Sequence, residues 1–382
     1  MSERLEIVAT CALGLEELLV QELAALGLEG RGQKGAVLFG GGWEEVYRAN
    51  WRLRTANRVL VTLASWEAPD GNALSAGAHS LVEAGRRRWG DLSLEALFHP
   101  RHTLALRATA SASQVRDVRW VGLKVKDGLV DGQRSRYGKR ASVDRRDPDL
   151  ALRVWLHRDR ATLLLDTSGE PLDRRGYRLE AGEAPLRENI AAACVLASGW
   201  DGRGPVVDPM CGAATLLVEA GCVALGIPAG ACRSAWAFER LPNFDASRWA
   251  RVRNEKLEAP DAGAALWGVD LSAPALSAAR GNLERARLVE RTTLSLGDGF
   301  AFEPPPGPGL ILVNPPYDAR LRSQPEQWRR LGDLFKQRYR GWRAVVLAGD
   351  PDRGKHIGLR PSFRLPVRNG PLDARILGFE IY

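Results

Sequence analysis

Three short stretches carry side chains whose types and spacing could do chemistry. Asp208-Pro209-Met210-Cys211-Gly212-Ala213-Ala214-Thr215 follows the apolar approach GPVV and opens into TLLVEAGCVAL. Asp270 ends a second apolar run ahead of an amphipathic segment, in GVDLSAPALSAARGNLERA, and Asn314-Pro315-Pro316-Tyr317 ends a third, GLILV. Strand, tight turn and helix in that order make the first unit of a doubly wound α/β domain, where ligands sit beyond the carboxyl ends of the strands. Gly212, Ala213 and Ala214 are small enough to let a ligand approach the backbone, with Asp208 and Cys211 on the rim. An ionised Asp270 can accept hydrogen bonds from both hydroxyls of a ribose. A plain strand–helix turn rich in small residues would look the same as the first stretch taken alone. The second and third stretches separate the two readings.

The third stretch suits an amino group. The side-chain oxygen of Asn314 and the carbonyl of Pro315 are two acceptors that could fix such a group and aim its nitrogen lone pair. Consecutive prolines restrict φ and supply no N–H, so the carbonyl direction is preset. Tyr317 offers a face on which an extruded base can stack. With an electrophile that is already activated, orientation and proximity do much of the work and no dedicated general base is needed.

D-P-x-C-G, then V-D, then N-P-P-Y resemble the S-adenosylmethionine-dependent methyltransferases that act on exocyclic amino groups. The resemblance implies S-adenosyl-L-methionine as cofactor. It implies a cofactor-facing set of Asp208, Pro209, Cys211, Gly212, Ala213, Thr215, Asp270, Leu271, Asp298, Gly299 and Asn314, with Asn314, Pro315, Pro316 and Tyr317 as the catalytic loop. Asp298, in LSLGDGF, is expected to end the third strand and accept from the adenine amino group. Ala214 departs from the pattern, because the family usually has glycine there. If the position requires φ > 0, alanine costs on the order of 1 kcal/mol.

The elements that must hold these stretches fill 382 residues, enough for two or three domains. A hydrophobic content of 45% with 26% charged residues is that of a soluble globular chain, and no apolar run approaches the roughly 20 residues of a bilayer span. The acidic N-terminal segment has no signal-peptide layout, so the protein is expected to be cytoplasmic. The five cysteines include no C-x-x-C pair and have no histidine nearby, which predicts reduced thiols, buried in the main, and no metal site. Gly349-Asp350-Pro351-Asp352-Arg353-Gly354-Lys355 has phosphate-loop spacing, yet His356 follows instead of Ser or Thr and two acids lie inside it. Nucleotide hydrolysis is therefore not expected.

Residues 1–62 read as a small α+β unit of strand, helix, strand and helix, the last helix running through WEEVYRANWRLRTANRVL. Residues 63–166 are mixed: strands at VTLASWEA and TLALRATASA, a helical stretch with a break at SLVEAGRRRWGDLSLEALF, a helix from VGLKVKDGLVDGQRSRYG, and a hairpin at DLALRVWLHRDRATLLLDT. The formal charge is +8, and between Arg101 and Arg146 stand twelve Lys or Arg against four acids. With Trp120 and Tyr137 interleaved, this suits phosphate contact with occasional base stacking; a solvated Arg-rich face is the plain alternative. Arg134, Arg136, Lys139 and Arg140 are the candidate RNA-binding residues.

ATCALGLEELL, YRANWRLRTANRVL, VKDGLVDGQRSRYGKRASVDRRDPDL and SGEPLDRRGYRLEAGEAPLRENIAAACVLASGW resemble THUMP-containing RNA methyltransferases, more narrowly the RlmL-like enzymes that methylate guanine N2 in large-subunit ribosomal RNA. The resemblance implies a ferredoxin-like domain at 1–62, a THUMP domain at 63–166, a linker at 167–185 and a Rossmann-like class I methyltransferase domain of mostly parallel sheet at 186–382, so an α/β protein preceded by α+β domains. Leu186 and Asn189 join the candidate cofactor contacts by the same resemblance. It also keeps Asp270 in its role, although Asp270 follows Asp208 by 62 residues and a simple dinucleotide fold needs about 20. The expected substrate is RNA, 23S rRNA ahead of tRNA, and the expected state a monomer that contacts no membrane. The basic front half speaks against a DNA amino methylase. A non-catalytic RNA-binding or ribosome-assembly protein is the alternative of another class.

Overall fold

The computed structural model describes residues 4–85, 88–178, 186–256, 264–315, 325–349, 352–370 and 372–382. The chain opens with β1 (Leu5–Cys11), α1 (Glu16–Ala25), β2 (Gly30–Gln33), β3 (Ala36–Gly41), α2 (Trp43–Arg52) and β4 (Ala56–Glu67). It continues through α3 (Gly71–Glu83), the short strands β5 (Arg88–Trp89) and β6 (Leu92–Ser93), α4 (Leu94–Leu97), β7 (Leu104–Ser111), α5 (Val118–Tyr137), β8 (Leu150–His157) and β9 (Arg160–Asp166). Apart from β5 and β6, these strands form one sheet in the order β2-β3-β1-β4-β9-β8-β7, antiparallel except for the β7–β8 pair. β4 runs through the expected boundary at 62/63 and pairs with β1 on one side and β9 on the other.

One helical expectation is corrected in this half. RTANRVL continues no helix: α2 ends at Arg52, and β-branched Val59 and Val61 enter the sheet core fully buried. At the expected break after α3 stands the β5–β6 hairpin, before α4. α5 holds as expected, ended by Gly138 at φ +67. It lies hard against α3 because Gly128 and Gly132, one turn apart, carry no Cβ; one built at Gly128 would meet the Ser75 carbonyl oxygen at 2.1 Å.

The second half comprises α6 (Glu188–Ala197), β10 (Val206–Asp208), α7 (Thr215–Ala224), α8 (Ala246–Asn254), β11 (Leu266–Asp270), α9 (Ala273–Arg285), β12 (Thr292–Leu296), β13 (Leu310–Val313), α10 (Pro325–Arg338), β14 (Arg343–Ala348), β15 (Phe363–Asn369) and β16 (Leu372–Glu380). Its sheet order is β12-β11-β10-β13-β14-β16-β15, parallel from β12 to β14, with β16 antiparallel to both β14 and β15. β10 and β13 are buried throughout, as expected of strands covered on both faces. Strand order reverses at β10, which opens a crevice at its carboxyl end.

Several joints bind the halves among the described residues, three of them as follows. Arg368 N–H on the edge strand β15 donates to the Leu13 carbonyl at 3.1 Å. The insertion between α7 and β11 packs Trp236, Phe238 and Trp249 onto Tyr47 and Trp51 of α2, with Trp51 and Trp249 edge-to-face at 5.4 Å. Arg48 and Arg52 reach Glu255 at 2.7 and 2.9 Å. The third joint is the described part of the linker, residues 167–178, which is packed: Thr167 and Ser168 are fully buried, and Arg175 is buried against Glu219 of α7. Arg233 from the insertion clamps it, donating to the carbonyls of Ser168, Glu170, Pro171 and Arg174 while stacking on Trp236.

Candidate active site

The carboxyl ends of β10, β11 and β13 and the turn after β12 meet around a cavity of about 460 Å³, within the usual range for small-molecule sites. Its wall includes Leu186, Asp208, Pro209, Cys211, Gly212, Ala213, Thr215, Asp270, Leu271, Asp298, Gly299 and Asn314. The sequence scatters these residues over nearly 130 positions; the parallel sheet gathers them, because parallel strands all end on one side.

The turn after β10 is stitched to β11. Cys211 N–H donates to the Val269 carbonyl at 3.0 Å, and Gly212 N–H donates to Asp270 Oδ2 at 2.8 Å. Asp270 Oδ1 accepts from Ser272 N–H at 2.9 Å, so the carboxylate is oriented from both sides. On α9, Asn282 donates through Nδ2 to the Ala213 carbonyl at 2.9 Å and holds the turn from behind. Gly212 sits at φ +51 with open space where a Cβ would stand, so the cavity reaches the backbone there. Across the cavity a Cβ on Gly299 would strike the Pro209 carbonyl oxygen at 1.9 Å, so only glycine lets these two turns close together.

Ala214 adopts φ +63, ψ 26 and caps α7. The left-handed position is thus real, and alanine occupies it at a cost on the order of 1 kcal/mol. The turn forms nonetheless, because Ala214 N–H donates to the Cys211 carbonyl at 2.7 Å and Ala214 is wholly buried.

Electrostatics divide the carboxylates. Asp208 is 1% exposed. Burial pushes its carboxyl up to about 8, against the hydrogen bond from Met210 N–H, and the neighbouring Asp270 charge adds to the rise. Burial beside the Asp270 charge thus favours its neutral form, which lessens the repulsion between the two carboxyls. Asp298 is exposed; Oδ1 accepts from Phe300 N–H at 2.9 Å and Oδ2 lies 3.5 Å from Arg330. It stands in the turn two residues beyond β12, not at the strand's end.

Three expectations fare differently. Asn189 is absent from the cavity wall: fully buried, it donates through Nδ2 to Asn57 Oδ1 at 2.8 Å and ties α6 to the first half. Pro315 is buried next to Asn314 but is not part of the wall. Pro316 and Tyr317 lie outside the described residues. Arg178, Met210, Leu216, Gly297, Phe300 and Gln327 also line the cavity and were not singled out from the sequence. Arg178 belongs to the linker's RRGYR run and pairs with Glu188 at 2.7 Å, donating also to the Leu186 carbonyl. No motif signals Gln327, which comes from α10.

In the basic region, Arg134 and Lys139 are exposed, as is Arg140, and Arg134 pairs with Asp131 at 3.3 Å. Arg136 is a tether, not a free cation: it donates to the Glu83 carbonyl and to Tyr137 Oη, and meets Glu95 at 3.4 Å. Tyr137 in turn donates to the Glu95 carbonyl. Trp120 lays its ring edge over Gly71 of α3. Four cysteines are buried and Cys232 is partly so, all as free thiols. Among the described residues no group of His, Cys, Asp or Glu could hold a metal ion, and no helix is long and apolar enough to cross a membrane.

Comparison with known proteins agrees with this architecture. Residues 6–60 match the RlmL ferredoxin-like domain, 91–166 the THUMP domain, and 175–377 the RMKL-like methyltransferase domain. A Synechocystis protein provisionally named an RNA methyltransferase is 35% identical over 98% of this chain and 96% of its own. Ribosomal RNA large subunit methyltransferase K/L of Stutzerimonas stutzeri is 36% identical over the whole chain, which spans 53% of that relative's length. Among solved structures, SMU.472, provisionally described as a methyltransferase and crystallised with SAH, superposes over the whole chain with a TM-score of 0.86 at 25% identity, covering 99% of that structure. The chain belongs to the RMKL-like methyltransferase family, in the form that carries an RlmL ferredoxin-like domain and a THUMP domain ahead of the methyltransferase domain.

Proposed function

We propose that the protein is an S-adenosylmethionine-dependent RNA methyltransferase that methylates the exocyclic N2 of a guanine in 23S rRNA, and that it works as a cytoplasmic monomer. One observation carries the reading: a single cavity brings the Asp208–Thr215 turn, Asp270, Asp298 and Asn314 together at the carboxyl ends of a parallel sheet. The chain's residues fit the cofactor. Asp270, held by two backbone N–H groups, keeps lone pairs for the ribose hydroxyls. Asp298, in the same wall, would accept from the adenine amino group, and the open backbone at Gly212 leaves room for the rest of the molecule. When bound, the cofactor supplies a methyl group already activated by its sulfonium charge.

The protein's own task is then orientation. Asn314 Oδ1 and the Pro315 carbonyl accept hydrogen bonds from the guanine amino group and aim its lone pair into the cavity, and Tyr317 stacks on the extruded base. The amino nitrogen that takes the methyl group would turn positive as the methyl carbon–sulfur bond breaks and S-adenosylhomocysteine is left; the two acceptors stabilise that charge before the extra proton leaves to water. The 23S rRNA assignment draws on the full-length likeness to the K/L enzymes, although the chain spans about half their length. TrmN of Thermus thermophilus, at 20% identity and a TM-score of 0.71, shares the fold and does not move the substrate toward tRNA. The test is methyl transfer from labelled cofactor to purified 23S rRNA and to tRNA, followed by mass analysis of the nucleosides. N2-methylguanosine in 23S rRNA is the expected product; the same product in tRNA alone would reassign the substrate, and no transfer to either would end the RNA reading.

A further inference from the structure

A second cavity, of about 210 Å³, lies where the THUMP sheet, the start of the linker and the insertion before β11 meet. Six arginines and three carboxylates line it. Each carboxylate is already committed. Asp166, 2% exposed, is shared: its Oδ2 lies 2.6 Å from Arg58 Nη1 and 3.0 Å from Arg153 Nε. Asp147 pairs with Arg240 and Glu170 with Arg174, both at 2.5 Å. Arg107, Arg145 and Arg146, all exposed, are left with no ion pair or side-chain hydrogen bond among the described residues. Burial lowers the Arg58 guanidinium's hold on its proton despite Asp166, and the positive charges of Arg153 and Arg107 act in the same direction. The cavity is short of negative charge.

Its position gives that shortage a meaning. Glu170 and Ala235 also line an open groove along the linker, and Arg178 is common to that groove and to the strand-end cavity. Shared lining residues thus link the arginine cavity, the groove and the cavity that holds Asn314; in the groove Arg174 and Arg187 pair with Glu170 and Asp173, and Arg233 donates to linker carbonyls. Like charges within protein walls focus potential, and guanidinium forks match phosphate oxygens. Arg134, Lys139 and Arg140, at the far end of α5, line none of these three hollows. Building on the RNA methyltransferase reading, we propose that the Arg107–Arg145–Arg146 cavity binds a backbone phosphate of the substrate RNA, and that the strand runs from there along the linker groove to the methyl-transfer cavity.

The test compares the full chain with its Arg107→Gln/Arg145→Gln/Arg146→Gln variant, with fluorescence anisotropy of a labelled single-stranded RNA between about 50 and 200 mM salt. The expected result is weaker binding and a log–log salt slope smaller by about 0.7 for each phosphate that the variant no longer neutralises, with S-adenosylhomocysteine affinity by calorimetry unchanged as the check on folding. An Arg134→Gln/Lys139→Gln/Arg140→Gln variant should lose less. If the wild type binds RNA and the cavity variant keeps its slope, this proposal fails and the enzyme reading stands. If the cavity variant loses inorganic phosphate but not RNA, the cavity is a small-anion site and the proposal again fails. If the wild type binds no RNA, the substrate reading falls first and takes this proposal with it.

Discussion

The two seven-stranded sheets of this protein are equal in strand number and differ in strand direction. In the second, five consecutive strands run parallel, so their carboxyl ends converge and the residues just beyond them share one cavity. In the first, all pairs but one are antiparallel and strand ends alternate between the two sides; the hollow beyond β7 draws on that one strand end and the β8–β9 corner. What it offers to the proposed function is charge, on a face and at a joint. Strand direction is why the second sheet gathers its end residues in one cavity and the first does not.

The comparison can be broken at the joint first. Arg175 and Glu219 are both 2% exposed in side chain, and Arg175 also donates to the carbonyls of Leu172 and Arg54, which ties the first sheet's domain to the helix behind the cofactor turn. Arg175→Ala leaves Glu219 buried with Tyr177 as its remaining partner; removing one member of a buried pair costs about 3–5 kcal/mol. Urea denaturation should show that loss, and an unchanged midpoint would mean the two halves are held without this pair.

Next comes the second sheet's chemistry. Asn314→Ala should lower the methylation rate by roughly 10²-fold or more, the scale seen when one preorganised polar partner of a transition state is removed. Cofactor affinity should stay within a few-fold and RNA affinity nearly unchanged, so kcat falls more than KM rises. A wild-type single-turnover rate would remove Asn314 from the reaction. Asp270→Ala should cost about 1.5–3 kcal/mol of cofactor binding, since the ribose hydroxyls lose a charged acceptor, and titration calorimetry reads it directly. Affinity equal to the wild type would mean that this carboxylate serves only to hold Gly212 and Ser272.

The smallest expected effect sharpens the contrast without breaking it. Ala214→Gly relieves the left-handed position and should raise stability by up to about 1 kcal/mol, less the entropy that glycine adds to the unfolded chain. Thermal denaturation checks the sign: a lower Tm would show that the buried Ala214 methyl contributes more than its backbone costs.

Much of the second half was legible in the sequence, because its signals are local. Apolar runs ending in Asp208, Asp270 and Asn314 specify strands, and Gly212 and Ala214 mark a turn that the chain must make whatever surrounds it. The hairpin in DLALRVWLHRDRATLLLDT was likewise legible, although its corner, Arg158-Asp159, takes positive φ in both residues without glycine. The first half misled where local pattern and tertiary demand disagree. The periodicity of YRANWRLRTANRVL fits a helix, but β4 has two sheet neighbours waiting, and their hydrogen bonds and burial outweigh a few tenths of a kcal/mol of propensity per residue.

What the sequence determined by itself is the set of strand–turn units and the residue types at their ends, since those follow from period, turn chemistry and side-chain size. Only the tertiary structure decided which of the charged residues remain available. Arg136 and Tyr137 look like ligand contacts in one dimension and are tied to backbone carbonyls 53 and 42 positions away, whereas Arg107, Arg145 and Arg146 line a cavity whose three carboxylates pair with other arginines. A hydrogen bond or ion pair depends on distance in space, and the sequence gives separation only along the chain.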